Sequence, residues 1–259
     1  AEGKYLTYQW KKDGSDLAGE TNATLNFTDA NATLHDGNYS VVVSNDFGSV
    51  ESGLVTIQVS DAHMNGLVGW WKFDETNGTI AYDSSGNGND GNLTNGPTWT
   101  TGKIAGAMSF DGVDDRVSVP KTALNGLNDL TINLWTKLIK GSQDHFFFSG
   151  ASDLEANHLL LGITRDDEIH FWDKNIHFID FPFPSINWDN KWINITLVRR
   201  INGTGSHVFI DGTHVASQNY DASTLSISDS GLWFGADQDN PGGGGFQSNQ
   251  FVKGLIDEV

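Results

Sequence analysis

Apolar and polar residues alternate over many short stretches of the chain, and turn-forming residues separate these stretches. The alternation is clear over residues 130–138 and 192–198, which are rich in β-branched and aromatic side chains. A period of two puts successive side chains on opposite faces of a half-buried strand. An apolar period of 3.6 does not persist over three turns at any point of the sequence. The pattern therefore predicts an all-β protein.

A polar stretch at 61–66 divides the chain into two parts. Residues 1–60 contain short alternating segments with turn signals between them, which is typical of a small β sandwich. Residues 67–259 continue the β pattern and are numerous enough for a jelly roll of two sheets. We therefore predict a first domain at 1–60, a linker at 61–66 and a second domain at 67–259.

Three features of the first domain resemble the immunoglobulin-like repeats of bacterial surface proteins. Trp10 matches the core tryptophan of strand C, residues 37–39 match the tyrosine corner before strand F, and Val41 stands at the family's second cysteine. The match begins at strand C, so the resemblance implies a partial sandwich. We expect the chain to be a piece of a longer protein whose neighbouring domains are its partners. A small three- or four-stranded unit that caps the second domain is the alternative.

Two turn signals in the second domain predict hairpins. An apolar run at 107–110 leads into Asp111-Gly112, a dipeptide that is common in tight hairpin turns. The apolar runs 159–161 and 169–172 are joined across a polar turn at 165–167. Each pair of runs is therefore expected to form neighbouring antiparallel strands.

Several segments of the second domain, taken in their order and spacing, resemble the laminin-G-like (concanavalin A-like) jelly roll of bacterial secreted proteins. The resemblance covers residues 67–259 and implies a sandwich of two antiparallel sheets in an extracellular or cell-surface protein. The predicted fold class is thus all-β, with a partial immunoglobulin-like sandwich followed by a concanavalin A-like (laminin-G) jelly roll. The segments that carry the resemblance are 69–75, 83–91, 110–112, 130–135, Trp192, 208–212 and 254–259.

The segment 235–241 is the principal candidate for a binding site. Asp237 and Asp239 flank Gln238, so three oxygen-bearing side chains precede a run of glycines. Ca²⁺ takes six to eight oxygen ligands from carboxylates, amides and backbone carbonyls, and this segment supplies part of such a set. The same composition is also ordinary for a turn without a metal.

This segment is similar to the calcium loop of the pentraxins, which share the jelly-roll fold. In that family two acidic side chains and the carbonyl between them hold calcium. Those ligands would fall here on Asp237, Asp239 and the backbone of Gln238, with Gln250 as a further ligand. The resemblance implies a calcium ion that bridges the protein to phosphate esters, or to hydroxyl and acid groups of sugars.

Pentraxins add an asparagine and an acidic residue from a hairpin on the same face. Asn157 matches the asparagine, but Ala156 occupies the acidic position. Glu155 or Asp153 would have to substitute for the missing carboxylate. The resemblance therefore implies a calcium site in which one ligand of the family pattern has moved.

A second candidate metal site comprises Asp74, Asn87 and Asp257. Related folds hold a structural calcium where the first and last strands meet, and these residues lie in the corresponding segments. The alternative is that residues 83–88 form a solvated loop with side-chain-to-backbone turns.

Aromatic residues are frequent between positions 170 and 188, where most are expected to pack in the core. Trp172 is the best candidate for a surface ring that stacks on a sugar, with His170 beside it. Asn240 follows the acidic pair and is a further candidate ligand-binding residue. His145, His158, His207 and His214 are expected to be ordinary strand or surface residues.

The amino-acid composition of the chain further narrows the classes of partner that it can bind. The chain of 259 residues has a formal net charge of −18 and lacks cysteine. Nucleic acid is excluded as a partner, because the chain cannot neutralise phosphates in bulk, whereas cations are favoured near its surface. The absence of cysteine excludes disulfides and thiolate metal sites. Apolar runs are too short to span a bilayer as helices, so membrane insertion is not expected.

Catalytic motifs are absent from the sequence. A retaining glycosidase needs two carboxyl groups about 5–5.5 Å apart, which a run such as Glu-x-Asp-x-x-Glu supplies on one strand, and the chain has no such run. A His-Glu-x-x-His motif and a Gly-x-Ser-x-Gly elbow are also missing. The sequence therefore predicts that the chain is not an enzyme.

The sequence is compatible with two functions. The first is a non-catalytic, calcium-dependent glycan-binding module for adhesion, within a larger extracellular or surface protein. Its ligand would be a glycan or another small molecule with hydroxyl or acid groups. The second is a structural or decorating module of a stalk, filament or virion appendage, with at most structural calcium.

Overall fold

The computed structural model describes residues 6–27, 35–57, 66–154, 159–173, 176–182, 187–201, 205–218, 224–240 and 245–259, with only the backbone over 176–182. The chain divides into two compact units, Ala1–Leu67 and Val68–Val259. Strands make up nearly all of the regular structure, which confirms the predicted all-β fold class. The predicted linker falls almost entirely outside the described residues.

The first unit contains one antiparallel sheet of five strands. Its order is β2-β1-β3-β4, and β5 also pairs with β3. The Tyr39 hydroxyl donates to the carbonyl of His35 at 2.9 Å, which is the hydrogen bond of a tyrosine corner. A second sheet facing this one is not among the residues described for the unit, and the immunoglobulin-like assignment stays a prediction. The strands are β1 Thr7–Lys12, β2 Ser15–Asp16, β3 Gly37–Asn45, β4 Gly48–Glu51 and β5 Val55–Ile57.

The second unit is a sandwich of two large antiparallel sheets. Its described helix is a single 3-10 turn, Lys121–Ala123, and no helix in the described ranges is long and apolar enough to cross a membrane. The strands are β6 Ile80–Ala81, β7 Gly91–Thr94, β8 Thr98–Thr101, β9 Gly106–Asp111, β10 Arg116–Val119, β11 Leu130–Leu138, β12 His145–Gly150, β13 Leu159–Ile163, β14 Glu168–Asp173, β15 Ile176–Pro182, β16 Trp192–Arg200, β17 Gly205–Ile210, β18 Thr213–Gln218, β19 Leu232–Phe234 and β20 Lys253–Asp257.

The two sheets of this unit differ in strand number and order. The eight-stranded sheet has the order β15-β14-β13-β12-β19-β10-β7-β6, and the seven-stranded sheet has the order β18-β17-β16-β11-β20-β9-β8. Strict alternation decides which side chains face inward. On β16, for example, Ile193, Ile195 and Leu197 enter the core, while Asn194 and Thr196 lie on the outer face. The core is built from the inward faces of both sheets.

One of the two predicted hairpins is correct. The runs around the turn at 165–167 form β13 and β14, which pair directly. The hairpin predicted at Asp111-Gly112 is wrong, because β9 belongs to the seven-stranded sheet and β10 belongs to the eight-stranded sheet. The turn instead carries the chain from one sheet to the other. The Asp115 carboxylate accepts the Asp111 backbone N–H at 2.9 Å, and the Gln143 amide donates to the Gly112 carbonyl at 3.2 Å.

A buried ion pair joins the two sheets. Arg199 on β16 and Asp173 on β14 are 0% and 1% exposed. The guanidinium donates to both oxygens of the carboxylate, at 2.6 Å from Nε and 3.1 Å from a terminal nitrogen. It also donates to the backbone carbonyl of Asn128. Inward-facing charges of opposite sign thus neutralise each other across the sandwich.

His145, a buried histidine on β12, is expected to make the fold sensitive to acid. Its side chain is 0% exposed, and its Nδ1 accepts the Lys253 backbone N–H at 3.2 Å. Burial lowers the pKa of His145 to about 4. Since the unfolded residue titrates near 6.5, only the unfolded chain takes up this proton between about pH 6.5 and 4.

The contribution of His145 to the free energy of unfolding is therefore fully present above pH 6.5 and is lost as the pH falls toward 4. One proton corresponds to a slope of at most about 1.4 kcal/mol per pH unit. Urea unfolding from pH 7 to 4 should show a flatter profile for His145→Asn, whose amide oxygen can still accept the Lys253 N–H. Identical profiles for the two proteins would contradict this prediction.

Candidate functional site

The outer face of the eight-stranded sheet carries a continuous row of side chains. Direct cross-strand pairs link Trp172 to Leu160, Leu160 to Ser149, Ser149 to Trp233, and Trp233 to Ser118. Their chain neighbours on each strand belong to the core, so this row points away from it. Aromatic and polar side chains therefore share one broad face.

The segment that follows β19 turns back across this face. Ala236 forms an antiparallel bridge with Phe251, and the Val252 N–H donates to the Gly235 carbonyl at 2.9 Å. The Ser149 hydroxyl donates to the Ala236 carbonyl at 2.8 Å and accepts the Gln238 backbone N–H at 3.0 Å. These contacts fix residues 236–238 over β12.

Gln238 anchors the segment through its side chain. The amide is 0% exposed, and it donates to the carbonyls of Gly231 at 3.0 Å and Ser149 at 3.3 Å. Its oxygen accepts the Ser230 hydroxyl at 2.9 Å. The side-chain oxygen of Gln238 is thus engaged within the protein, and the metal-ligand role predicted for this residue concerns its backbone carbonyl.

The structure brings Asp239 and Gln250 together, as the predicted metal site requires. Burial raises the pKa of the Asp239 carboxyl, and hydrogen bonds from Gln247 and Gln250 act in the opposite direction. The Asp239 backbone N–H also donates to the Gly245 carbonyl at 2.6 Å, which closes the loop. Asp237, the other predicted carboxylate, is 2% exposed.

Of the other residues predicted around this loop, the structure describes Asn240 but not the two residues of the neighbouring hairpin. Asn240 is exposed, and its side chain packs so closely on Gly245 that a Cβ there would lie 2.3 Å from it. Glu155 and Asn157 lie outside the described residues, so their part in a metal site stays a prediction.

Trp172 and His170 form an aromatic pair on the outer face of β14. Their ring centroids are 6.4 Å apart with an angle of 28° between the planes, and both side chains are partly exposed. Phe146 packs edge-on against His170 at 5.7 Å. Since adjacent strands are about 4.8 Å apart, Trp172 lies roughly 10 Å from Ser149 and the segment above it. The predicted surface ring and the acidic segment thus share one face.

The expectation that most aromatics of this region pack in the core agrees with the described rings. Phe171 and Trp188 are each 4% exposed and belong to the core cluster. The side chains of the other aromatics, Phe178, Phe181 and Phe183, are outside the described part of the chain.

Sequence reasoning missed a guanidinium–aromatic cluster that packs the loop against the sheet. The Arg116 guanidinium lies 4.3 Å from the ring centre of Phe246 and 5.3 Å from that of Trp233. Phe246 and Trp233 also meet edge-on at 5.3 Å. Phe246 belongs to the returning part of the loop, so its stacking ties that part to the sheet. The alternation of β10, which turns Arg116 outward, was the available signal.

The second predicted metal site is only partly assembled. Asp74 accepts the Gly106 N–H at 2.7 Å, and Asp257 accepts those of Lys103 at 2.7 Å and Ile104 at 2.9 Å, so both carboxyls hold the same loop. Burial raises the pKa of Asp257 to about 6, and the negative charges of Glu258 and Asp74 act in the same direction.

Asn87, the third residue predicted for that site, bonds within its own turn. Its side-chain amide donates to the Ser85 hydroxyl at 3.0 Å. The turn is organised by Asp83, whose carboxylate accepts the backbone N–H groups of Trp70, Ser85 and Asn89, each at 2.9 Å. The pattern matches the alternative of a loop built on side-chain-to-backbone turns.

A further acidic group lies at the crossing between the sheets. One carboxylate oxygen from each of Asp111, Asp114 and Asp115 falls within 4.8 Å of the others. Asp115 is buried, and burial raises the pKa of its carboxyl, although the hydrogen bond from the Asp111 N–H lowers it. Sequence reasoning treated Asp111 as part of a hairpin turn and did not single out Asp114 or Asp115.

Comparisons with known proteins agree with this architecture. A family model described as the concanavalin A-like lectin/glucanases superfamily matches residues 111–259. No curated protein sequence matches the chain. Domain 4 of AbnA, a GH43 extracellular arabinanase from Geobacillus stearothermophilus, was solved in complex with arabinotriose. It has a TM-score of 0.56 and 18% identity, over 74% of this chain and 89% of that one.

Two further solved structures are similar over part of their length. The binding domain of Paraclostridial Mosquitocidal Protein 1 has a TM-score of 0.56 and 15% identity, over 76% of this chain and 48% of that one. A mutant of Trypanosoma rangeli sialidase that displays trans-sialidase activity has a TM-score of 0.53 and 11% identity, over 87% of this chain and 40% of that one. This chain thus spans less than half of each of these two chains.

The absence of catalytic motifs led to the prediction that the chain is not an enzyme, and that prediction is wrong. Its structural neighbours include a domain of a glycoside hydrolase and chains of a sialidase. These matches are distant and show the fold alone, so they do not make this chain an enzyme either. The family match is firmer, since it covers more than half of the chain. The chain belongs to the concanavalin A-like lectin/glucanases superfamily.

Proposed function

We propose that residues 67–259 form a glycan-binding module. The observation that carries the proposal is the partly exposed pair of Trp172 and His170, which lies on the same sheet face as the segment with Asp239 and Gln250. Family membership supports it, and so does the fold shared with an arabinanase domain that was solved with arabinotriose. The module would belong to a larger extracellular or surface protein and serve adhesion.

The two parts of this face suit the two sides of a sugar. A pyranose or furanose ring presents an apolar C–H face, which packs on the indole of Trp172, while its hydroxyl groups point to the edge. Those hydroxyls need hydrogen-bonding or metal-coordinating oxygens nearby. The acidic segment supplies them roughly 10 Å away.

We further propose that the segment holds a calcium ion. The ligands would be Asp237, Asp239, the backbone carbonyl of Gln238 and Gln250, with Asn157 and Glu155 as candidates from the neighbouring hairpin. The donor set fits a hard cation, because it consists of oxygens only. Burial raises the pKa of Asp239, and a nearby cation would offset the cost of that desolvated charge. When bound, calcium would supply open coordination positions for sugar hydroxyls.

A thermal-shift experiment tests the calcium site. Saturating calcium stabilises the folded protein by about 2.7 kcal/mol at a hundred times its Kd, which raises the Tm by roughly 5–10 °C for a domain of this size. Asp239→Asn keeps the side-chain shape but removes the charge, so its Tm should not respond to calcium.

Asp229→Asn is the matched control, because Asp229 is an exposed aspartate that lies before β19, outside the proposed calcium loop, and pairs with Lys121. Its calcium response should equal that of the wild type. A wild-type Tm that is unchanged by millimolar calcium would rule out the calcium site. It would leave the aromatic part of the glycan proposal standing.

A structural role within a stalk, filament or virion appendage is the second candidate. It is favoured by exposed apolar side chains on the first unit, where Phe47, Val50 and Leu54 are 98%, 73% and 69% exposed. Such residues suit contact with neighbouring domains of a longer chain. A glycan array with calcium separates the two functions, since the structural role predicts no bound glycan.

A further inference from the structure

A pair of histidines lies on the outer face of the seven-stranded sheet, away from the proposed glycan site. His207 is on β17, and His214 is on β18, the last strand at that end of the sheet. The His207 Nδ1 and the His214 Nε2 are 3.3 Å apart. His207 is partly exposed and His214 is exposed, so solutes can reach both rings.

A β-bulge creates this pair. His207 pairs with Ser217 and Val208 with Ala216, but Phe209 pairs with His214, so the register shifts between Val208 and Phe209. Without the shift, the alternation from Ser217 would turn the side chain of His214 toward the core. The bulge turns it outward instead, which is a recurrent way to re-aim a side chain. Sequence spacing alone would not have placed the two imidazoles together.

The rings are held in place by their neighbours. Phe209 lies between the two histidines in chain order and packs against the His214 ring at 5.2 Å. The two imidazole centroids are 5.4 Å apart. This packing reduces the rotamer freedom that a ligand would otherwise have to remove on binding.

We propose that His207 and His214 form a binding site for a divalent transition metal. Two nitrogens that share a tetrahedral ion such as Zn²⁺ at 2.0–2.1 Å are about 3.3–3.4 Å apart, which matches the separation of Nδ1 and Nε2. A square-planar ion such as Cu²⁺ would draw the two nitrogens roughly 0.4 Å closer. Imidazole suits Cu²⁺, Ni²⁺ and Zn²⁺, and affinity rises toward Cu²⁺, whereas Ca²⁺ prefers oxygen. The net charge of −18 adds a general attraction for cations. Water would complete the coordination shell.

Calorimetric titration of the full chain with Cu²⁺ alone, and separately with Ni²⁺, tests the site. The wild type should bind Cu²⁺ more tightly than Ni²⁺. His207→Ala and His214→Ala should each weaken the Cu²⁺ affinity at least about tenfold, because either one breaks the chelate. Ser217→Ala, which changes the cross-strand neighbour and keeps both imidazoles, should bind as the wild type does. Circular dichroism melts establish that each variant is folded.

The location is tested separately by NMR. Substoichiometric Cu²⁺ should broaden the imidazole signals of His207 and His214 first, and excess Ca²⁺ should not displace it. Unchanged Cu²⁺ affinity in both alanine variants would overturn the proposal and leave the 3.3 Å contact as a hydrogen bond. Broadening confined to other histidines would overturn it too. The two histidines lie on the seven-stranded sheet and the proposed glycan site lies on the eight-stranded sheet, so the outcome is independent of that site.

Discussion

Replacing Arg199 by alanine is expected to destabilise the second unit by about 3–5 kcal/mol. The substitution leaves the Asp173 carboxylate buried between the two sheets without its bidentate partner. A buried charge that loses its partner keeps its desolvation cost and loses the compensating attraction. For a unit of this size, the Tm should fall by roughly 6–20 °C. Urea unfolding measured by tryptophan fluorescence gives the free energy directly.

The ion pair of Arg165 and Asp144 provides the matched control. It is also bidentate, with distances of 3.0 and 2.9 Å, but its side chains are 41% and 16% exposed. Solvent screens such a pair, so Arg165→Ala should cost only about 0.2–1 kcal/mol. Equal losses for the two alanine variants would show that burial does not set the strength of the inter-sheet pair.

Trp172→Ala is expected to weaken glycan binding by about ten- to a hundredfold. The indole offers a partly exposed apolar surface at the proposed site, and each tenfold loss corresponds to about 1.4 kcal/mol. Its side chain points away from the core, so the variant should unfold close to the wild-type midpoint. Titration of a glycan that the wild type retains on an array measures the change.

Trp135→Ala is the control for a general effect of removing a tryptophan. Trp135 is a partly exposed ring on the outer face of the seven-stranded sheet, where the Lys103 ammonium lies 4.6 Å from the ring centre. Its removal should leave glycan affinity unchanged. If Trp135→Ala abolishes binding and Trp172→Ala does not, the site lies on the opposite face of the sandwich.

Local sequence pattern was a reliable guide where one face of a strand is buried. The alternation over residues 130–138 corresponds to β11, Leu130–Leu138, and the runs beside the 165–167 turn form paired strands. It failed at Asp111-Gly112, because a tight turn has the same local chemistry whether it joins neighbouring strands or crosses between sheets. The partner strand is a long-range choice that the turn residues do not encode.

The candidate site, too, could be predicted from the sequence only in part. The sequence singled out Asp239 and Trp172 from residue type, and the resemblance to the pentraxins added Gln250. The structure places all three on one face. The sequence could not show that the Gln238 side chain donates hydrogen bonds to the carbonyls of Gly231 and Ser149, because those contacts depend on how the loop folds back. The Arg116 cluster was missed for the same reason.

By itself, the sequence determined the all-β class and the two-residue alternation of the long strands, because side-chain alternation along a strand is a local property. Only the tertiary structure decided which strands are neighbours, which carboxylates are buried, and that a bulge brings His207 beside His214. Those features arise from contacts between residues that are distant in the chain or shifted in register. They exist only once the sheets have assembled.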